Sequence, residues 1–429
     1  VISTIFKELH LSKLSLMNVD GERWKDMRSL LTPAFTSSNM KKVMDVCSNE
    51  FLEVLDFLHD QDKAFEIRAV FQKLTMDVLV RSAFGVKSDV QKNSEMTGMN
   101  AMIKEILESL QQFRTGWLPF LVGFAACLPE FALLWKLAFL LRERFMKAPS
   151  DNIKFGIMPI IDMRRSNPEA SGRREDLLQL LLNAEAEEGG AVNVHQLTVG
   201  YEGETSQSAE SKSSGRNRRI LTNAEIQANA IVFLIAGFET TSTAMTFTTY
   251  LLAKFQDVQD RLRSEIIAVL ERDGKFTYDN VFGMRYLDQV ISESLRFYPP
   301  VTGFTTRTCQ NDYEHNGLKI PAGMHVVIPP YQLQHDPAMW SEPEKFDPER
   351  FSAENKGSFD PMAFQAFGNG PRNCVGMRFA QLEMKLTLAK MLAKYKFLLD
   401  KRHEDHLKLG SSIAFCYPLD GAWLRVKKL

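Results

Sequence analysis

Apolar residues recur at i, i+3 and i+4 through most of the chain, the spacing of an amphipathic helix. This spacing predicts helices over residues 40–58, 71–84, 97–113, 256–272 and 286–297. The first residues, ISTIFKELHLSKLSLM, also read as helix. The longest run starts at a T-x-x-E capping box, Thr222 and Glu225, and continues to about Phe255. Some 33 residues at about 1.5 Å each span ~50 Å. Its middle, IVFLIAGFETTST, is apolar all round and then abruptly polar. Such a helix is expected to thread the centre of the protein. Short β-like pieces rich in Pro and Gly follow, among them KIPAGMHVVIPP. The expected architecture is mainly α with small β-sheets.

The segment from Trp117 to Leu141 is the most apolar in the chain. It is long enough to cross a bilayer by the usual criterion of about 20 residues. Pro119, Pro129, Glu130 and Lys136 interrupt it, so a spanning helix is disfavoured. Buried core or channel lining and shallow membrane insertion both remain open. Residues 184–220, rich in Gly, Ser, Glu and basic residues, are expected to form a flexible surface loop rather than a domain boundary.

Composition narrows the class. Of 429 residues, 45% are hydrophobic and 24% charged, ordinary values for a chain with a large core. They exclude a disordered chain, a collagen-like repeat and a multi-span transporter. Lys and Arg total 52 against 53 Asp and Glu, for a net charge of -1, so no nucleic-acid partner is indicated. The five cysteines, at 47, 127, 309, 374 and 416, are odd in number and show no CxxC spacing. Neither a zinc ribbon nor a disulfide framework is expected. The chain begins with Val1 and shows no signal peptide, which suggests a processed terminus or a fragment.

The sharpest chemical signal is Phe367-Gly368-Asn369-Gly370-Pro371-Arg372-Asn373-Cys374-Val375-Gly376. A cysteine ends a Gly-rich turn just before a helix expected to start near Val375. Turn N–H groups and a helix N-terminus both favour thiolate. A thiolate there is a nucleophile or a metal ligand. No His–Asn or His–Asp pair is suggested nearby, which leaves a cysteine protease weak. Flanking glycines let a flat ligand approach the backbone. Haem iron on a cysteine fits this, with N–H···S bonds tuning the metal.

This stretch resembles the haem-binding loop of cytochrome P-450 monooxygenases, departing at Ala366, where the family commonly has proline. The resemblance extends along the chain in motif order and implies the cytochrome P-450 fold as one catalytic domain over 1–429. It implies haem b as cofactor, with Cys374 as axial ligand, Phe367 against the sulfur side, and Gly368 and Gly376 beside the porphyrin. Arg372, Arg307 and the Trp24-x-x-x-Arg28 pair are implied to hold haem propionates, suited to carboxylates as donors. Arg23 and Lys25 are candidates for receiving a reductase. Ala236 lies over the distal face, and Glu239 and Thr240 are implied to deliver protons there. Glu293, Arg296 and Arg350 are implied to form a buried structural charge network. His335 is read as structural. Phe233, Val301, Phe304 and Phe415 are candidate substrate contacts.

The implied reaction places one oxygen atom of O2 into a small lipophilic substrate, a foreign chemical or an endogenous lipid or steroid. Electrons come from NADPH through NADPH-cytochrome P-450 reductase, with cytochrome b5 as a second candidate donor. The resemblance also implies residence at the endoplasmic reticulum membrane, on its cytosolic face. The spellings FETTST and RNCVG look most like microsomal insect members that clear foreign chemicals. Compared with the family, about a hundred N-terminal residues are missing, including the anchor, itself some 20 apolar residues long. Two rival readings stand beside this one. One is a haem-thiolate isomerase or dehydratase, which the Glu239-Thr240 pair disfavours. The other is a haem-binding fragment that senses or sequesters ligands.

Overall fold

The computed structural model describes residues 14–36, 38–92, 149–166, 176–184, 221–303, 305–355, 357–403, 407–412 and 415–429. The predicted helix over 97–113, the apolar segment from Trp117 to Leu141, almost all of the expected surface loop and Phe304 lie outside them.

Helices dominate. In chain order they are α1 (Gly21–Leu31), α2 (Ser38–Asp60), α3 (Ile67–Ala83), α4 (Pro149–Arg165), α5 (Leu177–Asn183), α6 (Asn223–Lys254), α7 (Gln256–Asp273), α8 (Tyr278–Gly283), α9 (Arg285–Phe297), α10 (Pro330–Gln334) and α11 (Met377–Lys394). Strands are short: β1 (Phe65–Glu66), β2 (Thr305–Thr308), β3 (Tyr313–His315), β4 (Leu318–Ile320), β5 (His325–Ile328), β6 (Tyr395–Leu399), β7 (Leu409–Ser412), β8 (Phe415–Pro418) and β9 (Trp423–Lys428). Among the described residues, β1, β9 and β6 form one three-stranded sheet, and β2–β5, β3–β4 and β7–β8 pair in twos. All are antiparallel. The expectation of a mainly α chain with small β-sheets holds.

The helix boundaries follow local chemistry. The Thr222 hydroxyl accepts from the Glu225 N–H, and the Glu225 carboxylate accepts from the Thr222 N–H, the reciprocal cap the sequence predicts. The helix then runs 32 residues and ends where Phe255 leaves helical geometry. By length and composition α6 is apolar enough to cross a membrane, yet 67% of its most apolar window is buried by protein. It is the core helix the pattern predicts, packed against α3, α9, α11 and β6. Gly237 permits a close approach of α3. A Cβ there would lie 2.8 Å from Leu79 Cδ2 of α3. Arg23 of α1 is paired with Glu225 of α6 and so ties two helices together.

Candidate active site

Residues 367–376 form the turn that precedes α11. Gly368 and Gly370 take left-handed φ values of 69° and 77°, which a side chain would strain. The Cys374 N–H donates to the Phe367 carbonyl at 2.8 Å, closing the loop on itself. α11 starts at Met377, two residues later than the pattern suggested. Phe367 and Val375 pack against the hydrophobic core.

Cys374 is exposed, yet protein atoms crowd its thiol closely enough to desolvate it. Here the sequence expectation of a lowered thiol pKa is overturned. Burial pushes the Cys374 thiol up, and the Gly376 N–H and the Arg28 charge oppose it without prevailing.

Three guanidinium groups gather around the loop. Arg28 donates to the Asn373 carbonyl at 2.8 Å and to its side-chain oxygen at 2.6 Å. Arg307 donates to the Asn369 carbonyl at 3.3 Å. Arg372 donates to the Val19 carbonyl at 2.8 Å and to Asp20 at 2.9 Å. Trp24 sits between two of them, its ring 4.7 Å from Arg372 and 5.7 Å from Arg28. Burial lowers the Arg372 pKa first, and the charges of Arg307 and Arg28 lower it further against the pull of Asp20. Mutually repelling cations gathered in this way suit a ligand that carries more than one carboxylate.

The opposite wall is α6. Val232, Ile235, Ala236, Glu239 and Thr240 are half-buried along a helix whose neighbouring turns are mostly buried. They fall at i, i+3, i+4, i+7 and i+8, one uncovered stripe. Thr240 donates to the Ala236 carbonyl at 2.6 Å, the back-bond that bends helices. Glu239 is ion-paired with Arg68 at the start of α3. Phe35 joins the two walls. Its ring lies 5.3 Å from that of Phe233 on α6. A Cβ at Gly376 would be 3.8 Å from it. Phe233 is thereby committed to core packing, with 8% of its surface exposed. Val301 and Phe415 meet in a β-bridge.

Behind the loop, Glu293 and Arg296 are fully buried and doubly bonded, at 2.7 and 2.9 Å. Arg350 adds an ion pair at 3.4 Å without hydrogen-bond geometry. The Asp347 N–H donates to Glu293 at 2.9 Å. Arg296 also donates to the Gln334 carbonyl at 2.7 Å, and the Gln334 side chain accepts from the Gln365 N–H at 2.9 Å. The network thus reaches within two residues of Phe367. His335 stacks on Tyr331 and bonds its carbonyl at 2.9 Å, and burial keeps its pKa down. Arg68, Phe35, Asn373 and Gln334 were not singled out in the sequence. Asn373 was open to notice, since it lies inside the loop motif.

A cysteine closing a glycine-rich turn, with Arg28 and Arg307 bonded to that turn and Arg372 within it, fits a dianionic, iron-bearing macrocycle. Those are the features of a haem-thiolate enzyme. The comparisons agree: the family model described as Cytochrome P450 matches residues 5–420. Cytochrome P450 3A16 of Mus musculus is 35% identical over 405 residues, covering 93% of this chain and 73% of its own. Cytochrome P450 3A5 of Homo sapiens is 35% identical over 408 residues, covering 93% and 72%. Lithocholate 6-beta-hydroxylase of Mesocricetus auratus is 34% identical over 412 residues, covering 95% and 74%. The chain belongs to the cytochrome P450 family and is a haem-thiolate monooxygenase.

Proposed function

We propose that this single catalytic domain oxygenates small lipophilic molecules, foreign chemicals or steroid-like lipids, using electrons from NADPH passed on by a reductase. The relatives support the substrate class, since one of them is named for hydroxylating lithocholate. Cytochrome b5 as a second donor and placement at the cytosolic face of the endoplasmic reticulum belong to the same reading.

The observation that carries the proposal is Cys374, held in a desolvated cleft with an N–H donor at its sulfur. When bound, the haem supplies activation of dioxygen. The chain supplies the rest. Cys374 would hold the iron. Arg28, Arg307, Arg372 and Trp24 would hold the haem propionates, and Gly368 and Gly376 would leave room beside the haem at their own positions. Thr240 and Glu239 serve the proton supply. Thr240 presents a hydroxyl whose own proton is held by Ala236. Its oxygen is left to accept from water or ligand. Glu239, next to Thr240 in the chain, is ion-paired with Arg68. Val301 and Phe415 border the substrate.

Thr240→Ala tests the proton role. NADPH consumption is expected to continue while product falls and hydrogen peroxide rises. Unchanged coupling would remove Thr240 from the reading. For the reaction as a whole, a strongly red-shifted Soret band in the reduced, carbon-monoxide-treated protein together with turnover supports oxygenation. The same band without turnover with reductase would favour ligand sequestration.

A further inference from the structure

The helix that follows Cys374 carries an acid that the reaction does not use. Glu383 lies on α11, six residues past its first residue, or about 9 Å along the axis. Only 1% of it is exposed. Neither carboxyl oxygen has a hydrogen-bond partner, and nearby buried polar groups are in the same condition: Gln72 Nε2 and Thr75 Oγ1 on α3. Thr75 stands close enough to act on the carboxyl, though short of hydrogen-bond geometry.

Among the described residues, no charged group acts on this carboxyl. Two lysines of α11 are engaged elsewhere, Lys385 with Asp288 of α9 at 2.7 Å and Lys390 with Asp45 of α2 at 2.6 Å. On the other elements around α11, Asp77 of α3 is held by Arg81, and Glu239 of α6 by Arg68. Glu265 of α7 accepts the N–H groups of Tyr286 and Leu287. Lys396 of β6 pairs with Asp260. α8 meets α11 through Phe282, whose ring lies 4.6 Å from Lys385.

We propose that Glu383 is a positioning residue for the thiolate ligand: as a neutral acid it lets α11 seat in the core, and its ionisation unseats α11 and loosens Cys374. An isolated charge in this interior has no compensation. Glu383 sits on α11, the helix whose first turn follows the haem loop directly. Burial raises the pKa of this acid to about 8, with Thr75 opposing, so the neutral form prevails at pH 7. The sign follows from linkage. The folded state keeps a proton that the unfolded state loses from its ordinary value of 4.5 upward. Stability from this group is therefore complete below that pH and is lost as pH rises through about 8.

The test uses the full-length chain with haem bound. In reduced, carbon-monoxide-treated protein the red-shifted Soret band is followed from pH 6.5 to 9.5. Its loss is expected near pH 8 in the parent and at least one pH unit higher in Glu383→Gln, a tenfold shift in proton dependence. A residue with a merely steric role would leave the midpoint in place. In parallel, the infrared carbonyl band of a buried carboxylic acid is expected in the parent at pH 7, absent above pH 9 and absent from Glu383→Gln. If Glu383→Gln fails to fold, Thr75→Val is expected to raise the parent midpoint, and the infrared titration of the parent stands alone. An unmoved midpoint, or no carboxylic acid band at pH 7, overturns the proposal. Lack of the red-shifted band at every pH would instead defeat the thiolate reading on which it rests.

Discussion

Arg296 offers the most demanding test of how the haem loop is supported. Replacing it with Met removes bonds of 2.7 and 2.9 Å to Glu293 and of 2.7 and 2.9 Å to the Gln334 and Pro343 carbonyls. Glu293, with no exposed surface, then keeps only the Asp347 N–H and the looser Arg350 contact at 3.4 Å. An uncompensated buried charge costs about 3–5 kcal/mol. Glu293→Leu leaves the converse problem, a buried guanidinium facing carbonyls alone, at a similar ~3–5 kcal/mol. If the two act as one unit, the double variant loses far less than the sum. Its remaining cost is about 1–3 kcal/mol for each carbonyl left without its donor. A coupling energy of ~3 kcal/mol is therefore expected from the double-mutant cycle. Urea unfolding measures it, and Trp340 reports locally because its ring lies 5.3 Å from Arg296. Haem retention is expected to fall in step, through the Gln334 side chain and its bond to Gln365. Additive single-site losses would refute the view that Glu293 and Arg296 act as one unit.

Three further outcomes follow from particular contacts. Arg68→Met is expected to cost roughly 3 kcal/mol, because it leaves the Glu239 carboxylate without its ion-pair partner; adding Glu239→Gln should recover most of that loss, and a thermal-melt cycle without such recovery rejects the pairing. Gly237→Ala drives a methyl to 2.8 Å from Leu79, and overpacking of this kind costs about 1–3 kcal/mol; a second change, Leu79→Ala, should restore haem loading if that contact is the cause. Burial keeps His335 below its ordinary 6.5, so the unfolded chain takes up a proton first as pH falls. Stability linked to His335 is thus present above pH 6.5 and lost below it, and melts of His335→Gln between pH 5 and 7 should lack that decline.

What could be read from the chain and what could not divides along sequence separation. The Thr222–Glu225 cap, the loop around Cys374 and the Glu293–Arg296 spacing each sit within ten residues, so local geometry fixes their meaning wherever the chain goes. Arg68 and Glu239 are 171 residues apart, and Arg28 and Asn373 345 apart, so no periodicity announces either pair. The thiol of Cys374 shows why such distant contacts matter for chemistry and not only for packing. Turn geometry and helix dipole, both local, argue for a lowered pKa. The protein brought around the sulfur by tertiary folding argues the other way and wins. The same competition acts at Glu239, where the motif points to proton delivery and a distant arginine takes up the carboxylate. The loop motif therefore specifies which atom meets the metal. The balance on that atom also depends on how deeply the fold buries it, which no motif states.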